Sequence, residues 1–155
     1  MPYYSQRARA SVVKLSADAA AFSSVTLANI TGLAFPVTSG LTYEFRGLVV
    51  FRSAAITTGL RLGLTCPAFT VLAASASIPI AADAAGVGYM DGWITTSGDS
   101  VLGTGVQAAT TDYVATIEGV LVPSANGTVQ LQAATEIAAS NITVRAGSLI
   151  GWQAV

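Results

Sequence analysis

Short runs of apolar and β-branched residues recur along the chain, and glycine, serine, asparagine, aspartate or proline separates each run from the next. This rhythm is typical of antiparallel sandwiches and barrels. The alanine-rich stretch 73–85 has room for one helical turn, which Pro79 limits. The pattern predicts an all-β antiparallel sandwich with strands near 11–15, 25–30, 34–37, 42–51, 59–65, 70–74, 88–95, 112–122, 128–134 and 142–153.

Two of the predicted strands carry apolar residues on both faces. In 41–47 the side chains alternate between apolar and polar, but 48–51 is Leu-Val-Val-Phe, and 112–122 is apolar on both sides in the same way. The opposing sheet of a sandwich covers only one of these faces, so the second needs another partner. We expect that partner to be another subunit, with Leu48, Val50, Val114 and Val120 at the interface.

The best hairpin signal in the chain is Asn126-Gly127, which lies between two strongly predicted strands. It predicts that these two strands, 112–122 and 128–134, pair directly with each other.

The first ten residues do not fit the strand rhythm. They predict an extended N-terminal arm over 1–10, followed by a sandwich domain over 11–155. Aromatic and arginine side chains are common anchors of protein interfaces, so the arm is a candidate contact surface. A frayed terminus is the alternative. The anchor candidates are Tyr3, Tyr4, Arg7 and Arg9.

Charge is scarce: 10% of the residues are charged and 52% are hydrophobic, whereas an average soluble domain is about a quarter charged. Residues 62–144 contain no lysine or arginine. This composition favours a subunit of an assembly. The formal net charge of −1 gives no basic field for nucleic acid.

No stretch predicts a membrane span or a signal peptide, so we expect no membrane partner.

The residues that usually carry catalysis or hold metals are few. The chain has no histidine and one cysteine, Cys66, which we expect to be a small buried hydrophobe. No two carboxylates have a spacing that forces them together, so we predict no enzyme activity, no cofactor and no metal site. The acids are expected to be solvated, or to pair across subunit boundaries with Arg46, Arg52, Arg61 and Arg145.

An alternative binding site lies in the glycine-rich segment 86–105. Aromatic and acidic side chains there could bind a sugar or a receptor, although aromatics on strands are more often part of a core. The candidate residues, expected on loops, are Tyr89, Asp91, Trp93 and Asp99.

Several of these stretches together resemble small structural proteins of tailed bacteriophages. The resemblance lies in GLAFPV at 32–37, LTYEF at 41–45, SAAITTGL at 53–60, EGVLV at 118–122, GTVQL at 127–131 and ITVRAGS at 142–148. The resemblance lies in the character and order of these stretches and includes no invariant chemical signature.

Proteins of this phage type are trimeric jelly rolls related in shape to the tumour-necrosis-factor fold. The resemblance therefore implies a homotrimer that acts as a capsid decoration (cement) protein. It would be made in the host cytoplasm and would bind the major capsid protein on the outer surface of the virion through the arm. A tail-fibre or baseplate tip that binds a host receptor or glycan is the alternative. The chain contains no coiled-coil shaft, which favours cement.

Overall fold

A computed structural model describes residues 10–81 and 88–155. All regular structure within these residues is β-strand, so the predicted all-β fold is confirmed. The strands are β1 (Ser11–Lys14), β2 (Ala28–Val37), β3 (Tyr43–Ser53), β4 (Leu60–Thr65), β5 (Phe69–Ile80), β6 (Gly88–Ile94), β7 (Ser100–Leu102), β8 (Asp112–Pro123), β9 (Gly127–Thr135), β10 (Ile142–Val144) and β11 (Leu149–Ala154).

The strands form two antiparallel sheets that pack as a sandwich. The large sheet has seven strands in the order β1-β11-β3-β8-β5-β6, with β10 also paired to β3. The small sheet has four strands in the order β2-β9-β4-β7. From β2 to β5, and again from β7 to β10, successive strands alternate between the two sheets. This alternation is jelly-roll-like, as the sequence predicts.

The core lies between the inner faces of the two sheets and consists mainly of apolar side chains. Phe35 of the small sheet stacks on Trp152 of the large sheet, with ring centroids 4.9 Å apart. Strand alternation directs every second side chain inward, so each strand contributes a regular row to the core. Among the largest fully buried side chains are Phe35, Phe51, Leu62, Leu64, Ile117, Leu121 and Leu131.

The hairpin predicted at Asn126-Gly127 is wrong. The strands on either side, β8 and β9, belong to different sheets, so the turn carries the chain across the sandwich. Gly127 pairs with Val37 of β2. The Asn126 side chain accepts a hydrogen bond from the Ser39 amide at 2.8 Å and thereby joins the two crossing turns.

The helical turn considered within 73–85 is also wrong over its described part. Strand β5 continues to Ile80, and its alternate residues Ala74, Ala76 and Ile78 are buried in the core. Pro79 lies beyond Ser77, the last residue that β5 pairs with β8. A proline is tolerated at such a place because its missing N–H removes no ladder bond toward β8.

Two predicted boundaries differ from the structure because of local turns, and one short strand was not predicted. The predicted strands 25–30 and 34–37 are one strand, β2, whose register shifts between Asn29 and Ala34 around Gly32, which has a φ of 95°. The predicted strand 142–153 is divided into β10 and β11 by a turn in which Gly147 has a φ of 91°. Such positive φ values favour glycine. Strand β7 has only three residues and escaped prediction.

Candidate functional site

The outward face of the large sheet is the main candidate surface. In β3 and β8 every second residue is buried and the residues between them point away from the core. The four predicted interface residues all lie on this face: Leu48 and Val50 are half-buried, and Val114 and Val120 are 48% and 39% exposed. Val50 and Val114 are directly opposite each other across the β3–β8 ladder. The structure therefore brings these four side chains onto one surface.

Further apolar residues, which sequence reasoning missed, extend this face to its edges. Val12 of β1 is 60% exposed and Val71 of β5 is 45% exposed. Neither residue stands in a long alternating run, so the only signal was the strand pattern of its immediate neighbours.

Two ion pairs interrupt the apolar face, Arg46 with Glu118 and, at the ends of β3 and β8, Arg52 with Asp112. Arg46 and Glu118 are opposite each other on β3 and β8, with Arg46 Nε 3.5 Å from a Glu118 carboxylate oxygen. Their side chains are 67% and 57% exposed, so water screens the pair and it contributes little to folding stability. Glu44, on the same face, accepts a hydrogen bond from Gln153 of β11. These polar groups already have partners within the chain.

Strand β6 forms the far edge of the large sheet and carries three of the four alternative binding residues. Tyr89, Asp91 and Trp93 alternate along the strand and are all exposed, Trp93 by 82%. They sit on β6, as the predicted strand 88–95 implies, and not on the loops to which the candidate binding site was assigned. Within the described residues, the Asp91 carboxylate makes no side-chain hydrogen bond or ion pair.

Asp99, the fourth residue of that set, has a structural role. Its carboxylate accepts hydrogen bonds from the amides of Thr95 and Thr96, at 3.2 and 2.9 Å, in the turn after β6. An Asp in this position stabilises the turn because its carboxylate accepts hydrogen bonds from backbone amides in the place of backbone carbonyls. It does not join Asp91 and Trp93 in one site.

The charges expected to pair across subunits mostly pair within the chain. Arg52 Nε donates to Asp112 Oδ1 at 2.8 Å, and Arg145 contacts both Asp112 and Asp18. The hydrogen bond from Arg52 lowers the pKa of Asp112 below its ordinary value. This cluster joins the segment after β1 to the turn before β11, so its role is architectural.

The chemical groups of the described residues form no recognisable catalytic centre. Glu136 accepts hydrogen bonds from the amides of Gly59 and Gly105, each at 2.7 Å, and so fixes two loops. Burial raises the pKa of the Cys66 thiol, which therefore stays protonated and weakly nucleophilic at neutral pH. Across 10–81 and 88–155, no three histidine, cysteine, aspartate or glutamate side chains cluster as metal ligands would.

Two other predictions concern termini and membranes. The arm residues Tyr3, Tyr4, Arg7 and Arg9 lie outside the described residues, so their role stays a prediction, as does the domain boundary at residue 10. None of the described residues belongs to a helix that is long and apolar enough to span a bilayer.

Comparison with known proteins gives only distant structural likeness. No family model and no curated protein matches the chain. Solved structures of infectious bursal disease virus are similar: a VP2 subviral particle with 12% identity and a TM-score of 0.28, and the Gx and Gt strains with 13% and 15% identity and TM-scores of 0.25 and 0.27. Each alignment covers 97% of this chain but 42%, 37% and 41% of the respective viral chain, so the chain spans less than half their length.

Proposed function

We propose that this chain is a virion structural protein that trimerises and binds the outside of a bacteriophage head as a cement protein. The observation that carries the assembly part is the exposed apolar face of the large sheet. A soluble monomer rarely leaves such a face uncovered, because each buried Å² of apolar surface contributes about 25 cal/mol. Copies of the same chain are the simplest cover.

The small amount of charge supports the same proposal. With 10% charged residues, the chain has little polar surface to spare. The arginines of the large sheet already pair with acids of the same chain, as Arg46 does with Glu118 and Arg52 with Asp112. Apolar contact, not charge, would therefore hold the subunits together.

The link to a capsid comes from the resemblance to phage structural proteins and from the predicted arm. Three arms on one trimer could grip neighbouring major capsid proteins at the same time. Multivalent attachment of this kind raises apparent affinity without any new contact type, and it resists separation of the shell subunits. Tyr3, Tyr4, Arg7 and Arg9 are the proposed capsid contacts.

Deleting residues 1–10 tests the capsid part separately from the assembly part. We expect a truncated protein that still forms trimers but no longer co-sediments with shells of the major capsid protein from the same phage genome. The full chain is the matched control. Unchanged decoration of shells by the truncated protein would show that the arm is not the tether.

The second candidate is a tail-tip module that binds a host receptor or glycan, and the exposure of Trp93 favours it. An 82% exposed indole next to Asp91 offers a stacking surface beside a hydrogen-bond acceptor, as sugars require. Copy number in purified virions separates the two candidates. Hundreds of copies per particle support cement, and a handful supports a tail tip.

A further inference from the structure

The outward face of the large sheet contains a projecting part and a recessed part. The projecting part is Trp93 on β6, the most exposed large hydrophobic side chain among the described residues. The recessed part, which we call the Gly151 groove, is an open depression of about 550 Å³ across β11, β3 and β8. Its lining includes Glu44, Arg46, Glu118, Val120, Gly151 and Gln153.

Gly151 makes the groove because, among the residues paired side by side across the neighbouring strands, it is the one without a side chain. Its two neighbours across the strands are Val12 and Arg46, so a Cβ at this position would also point outward. That Cβ would meet Val12 Cγ2 at 3.5 Å and the Ser11 carbonyl oxygen at 3.6 Å, which are ordinary contacts. The fold therefore tolerates a side chain here, and the glycine keeps the surface open.

Trp93 and Gly151 lie in the same row of the sheet. Trp93 pairs with Ser75, Ser75 with Glu118, Glu118 with Arg46, and Arg46 with Gly151. Four strand spacings separate the two ends of this row, a distance of roughly 19 Å. A side chain cannot span that distance, so Trp93 does not reach Gly151 of its own subunit. Glu118, at the near edge of the groove, is two strand spacings from Trp93.

We propose that Trp93 of one subunit inserts into the Gly151 groove of the next copy. The inference rests on the proposed self-assembly and specifies its geometry. A closed ring with three-fold symmetry joins two different patches of each subunit, and a two-fold dimer can make the same contact twice, with each knob in the groove of the other subunit. A knob and a groove at opposite ends of one row are two such patches. Repeating the contact around the axis uses each knob and each groove once.

The charges of the groove suit an indole. Arg46 lines the groove, and its Nε lies 3.5 Å from a Glu118 carboxylate oxygen. A positioned guanidinium attracts the face of a tryptophan ring through the ring quadrupole. Val120 supplies apolar contact on the other side. Because Glu44 and Glu118 each have a partner within the subunit, inserting an indole leaves neither carboxylate newly unpaired.

Two single variants and their mixture test the contact in the full-length chain. Trp93→Ala removes the knob and keeps the groove, and Gly151→Val fills the groove and keeps the knob. We expect each to associate about thirty-fold more weakly or worse, as for an interface hot spot. Mixed one to one, they can form only one good contact, so native mass spectrometry should show a one-to-one heterodimer and no ring.

The controls are Tyr89→Ala, on the same strand and face as Trp93, and Thr128→Val, on the outward face of the small sheet. Both should assemble like the wild type. Circular dichroism and thermal unfolding establish that every variant is folded.

Several results would overturn the proposal and leave the assembly intact. One is a wild-type oligomer that Trp93→Ala does not weaken. Another is a result in which Gly151→Val loses assembly and Trp93→Ala does not, because a segment other than Trp93, such as residues 1–9, would then occupy the groove. A third is a Trp93→Ala protein that assembles normally but loses binding on a glycan array. A wild-type protein that is monomeric at high concentration would instead contradict the proposed assembly itself.

Discussion

The two outward faces of the sandwich differ in how their side chains meet water. On the large sheet, valine and tryptophan side chains are exposed beside two ion pairs, Arg46–Glu118 and Arg52–Asp112. On the small sheet, the outward positions of β2 and β9 are filled mainly by amide, hydroxyl and small side chains, which bond to one another and to the backbone. Gln132, for example, donates to the Asn29 side chain at 2.9 Å. The outward face of the small sheet is therefore mainly polar, whereas the outward face of the large sheet exposes apolar side chains.

If the chain assembles as proposed, this difference indicates which side of the molecule another subunit would cover. Both sheets have equally apolar inner faces, so folding alone explains those residues. Folding leaves Val114 and Val120 exposed, and in the proposed assembly a second molecule covers them. The predictions below test the contrast between the two faces, from the largest expected effect to the smallest.

Placing charge on the apolar face should abolish assembly. In the double variant Leu48→Lys/Val114→Lys, two ammonium groups would have to be buried without partners, and each costs several kcal/mol. We expect association to weaken by about 1,000-fold or more, measured by sedimentation or by light scattering after size exclusion. Thr128→Lys on the small sheet is the matched control and should assemble normally. Equal loss of assembly in the control would remove the distinction between the faces.

Two glycine variants test how tightly the strands pack around Gly119 and around Gly151. A Cβ at Gly119 would lie 2.5 Å from the Ala74 Cβ, so Gly119→Ala must push β8 away from β5. We expect it to lower the free energy of unfolding by about 1–3 kcal/mol. Gly151→Ala, whose added methyl meets only ordinary contacts, should leave it nearly unchanged. Chemical denaturation measures both, and similar values for the two variants would contradict the packing described here.

The polar face of the small sheet should matter for folding and not for assembly. Gln130 donates to the carbonyls of Ile30 and Leu33, at 3.0 and 3.1 Å, on either side of the Gly32 bulge. Replacing it in Gln130→Leu leaves these part-buried acceptors without that donor and should cost about 1–2 kcal/mol in unfolding free energy. Its oligomeric state should match that of the wild type. A shift in oligomeric state would place this face in the interface.

The smallest effect is expected from pH acting on the Asp112 cluster. Because Arg52 lowers the pKa of Asp112 in the folded protein, the ionised carboxylate stabilises the fold at neutral pH. This stabilisation should decline as pH falls below the ordinary aspartate pKa of 3.8 and vanish below the lowered folded value. The melting temperatures of the wild type and Asp112→Asn should therefore converge in acid. Asp91→Asn, on the exposed edge strand, is the control.

The sequence pattern reveals the faces of strands better than it reveals their partners. Alternation with period two assigns Val50 and Val114 correctly to one face of their strands because it depends only on local geometry. The same pattern cannot tell whether the strands flanking Asn126-Gly127 belong to one sheet or two, because such a turn can serve either. Long-range pairing decides that, and it also decides that Trp93 and Gly151 share a row.

The candidate site was predictable to a similar extent. The outward face that carries the predicted interface residues of β3 and β8 could be recognised because both strands are apolar on both faces. Asp99 was grouped with Trp93 only because the two are near in sequence, and its turn hydrogen bonds become visible only in the fold. Gly151 had no signal at all, since the space that a missing side chain leaves depends on neighbours from other strands.

The mass of the full-length protein in solution, followed over a wide dilution range, tests the central claim most directly. Coverage of the large sheet by sister subunits predicts an oligomer of about three times the 15.7 kDa chain that dissociates only at high dilution. A well-behaved species that keeps the mass of a single chain at every concentration would contradict it.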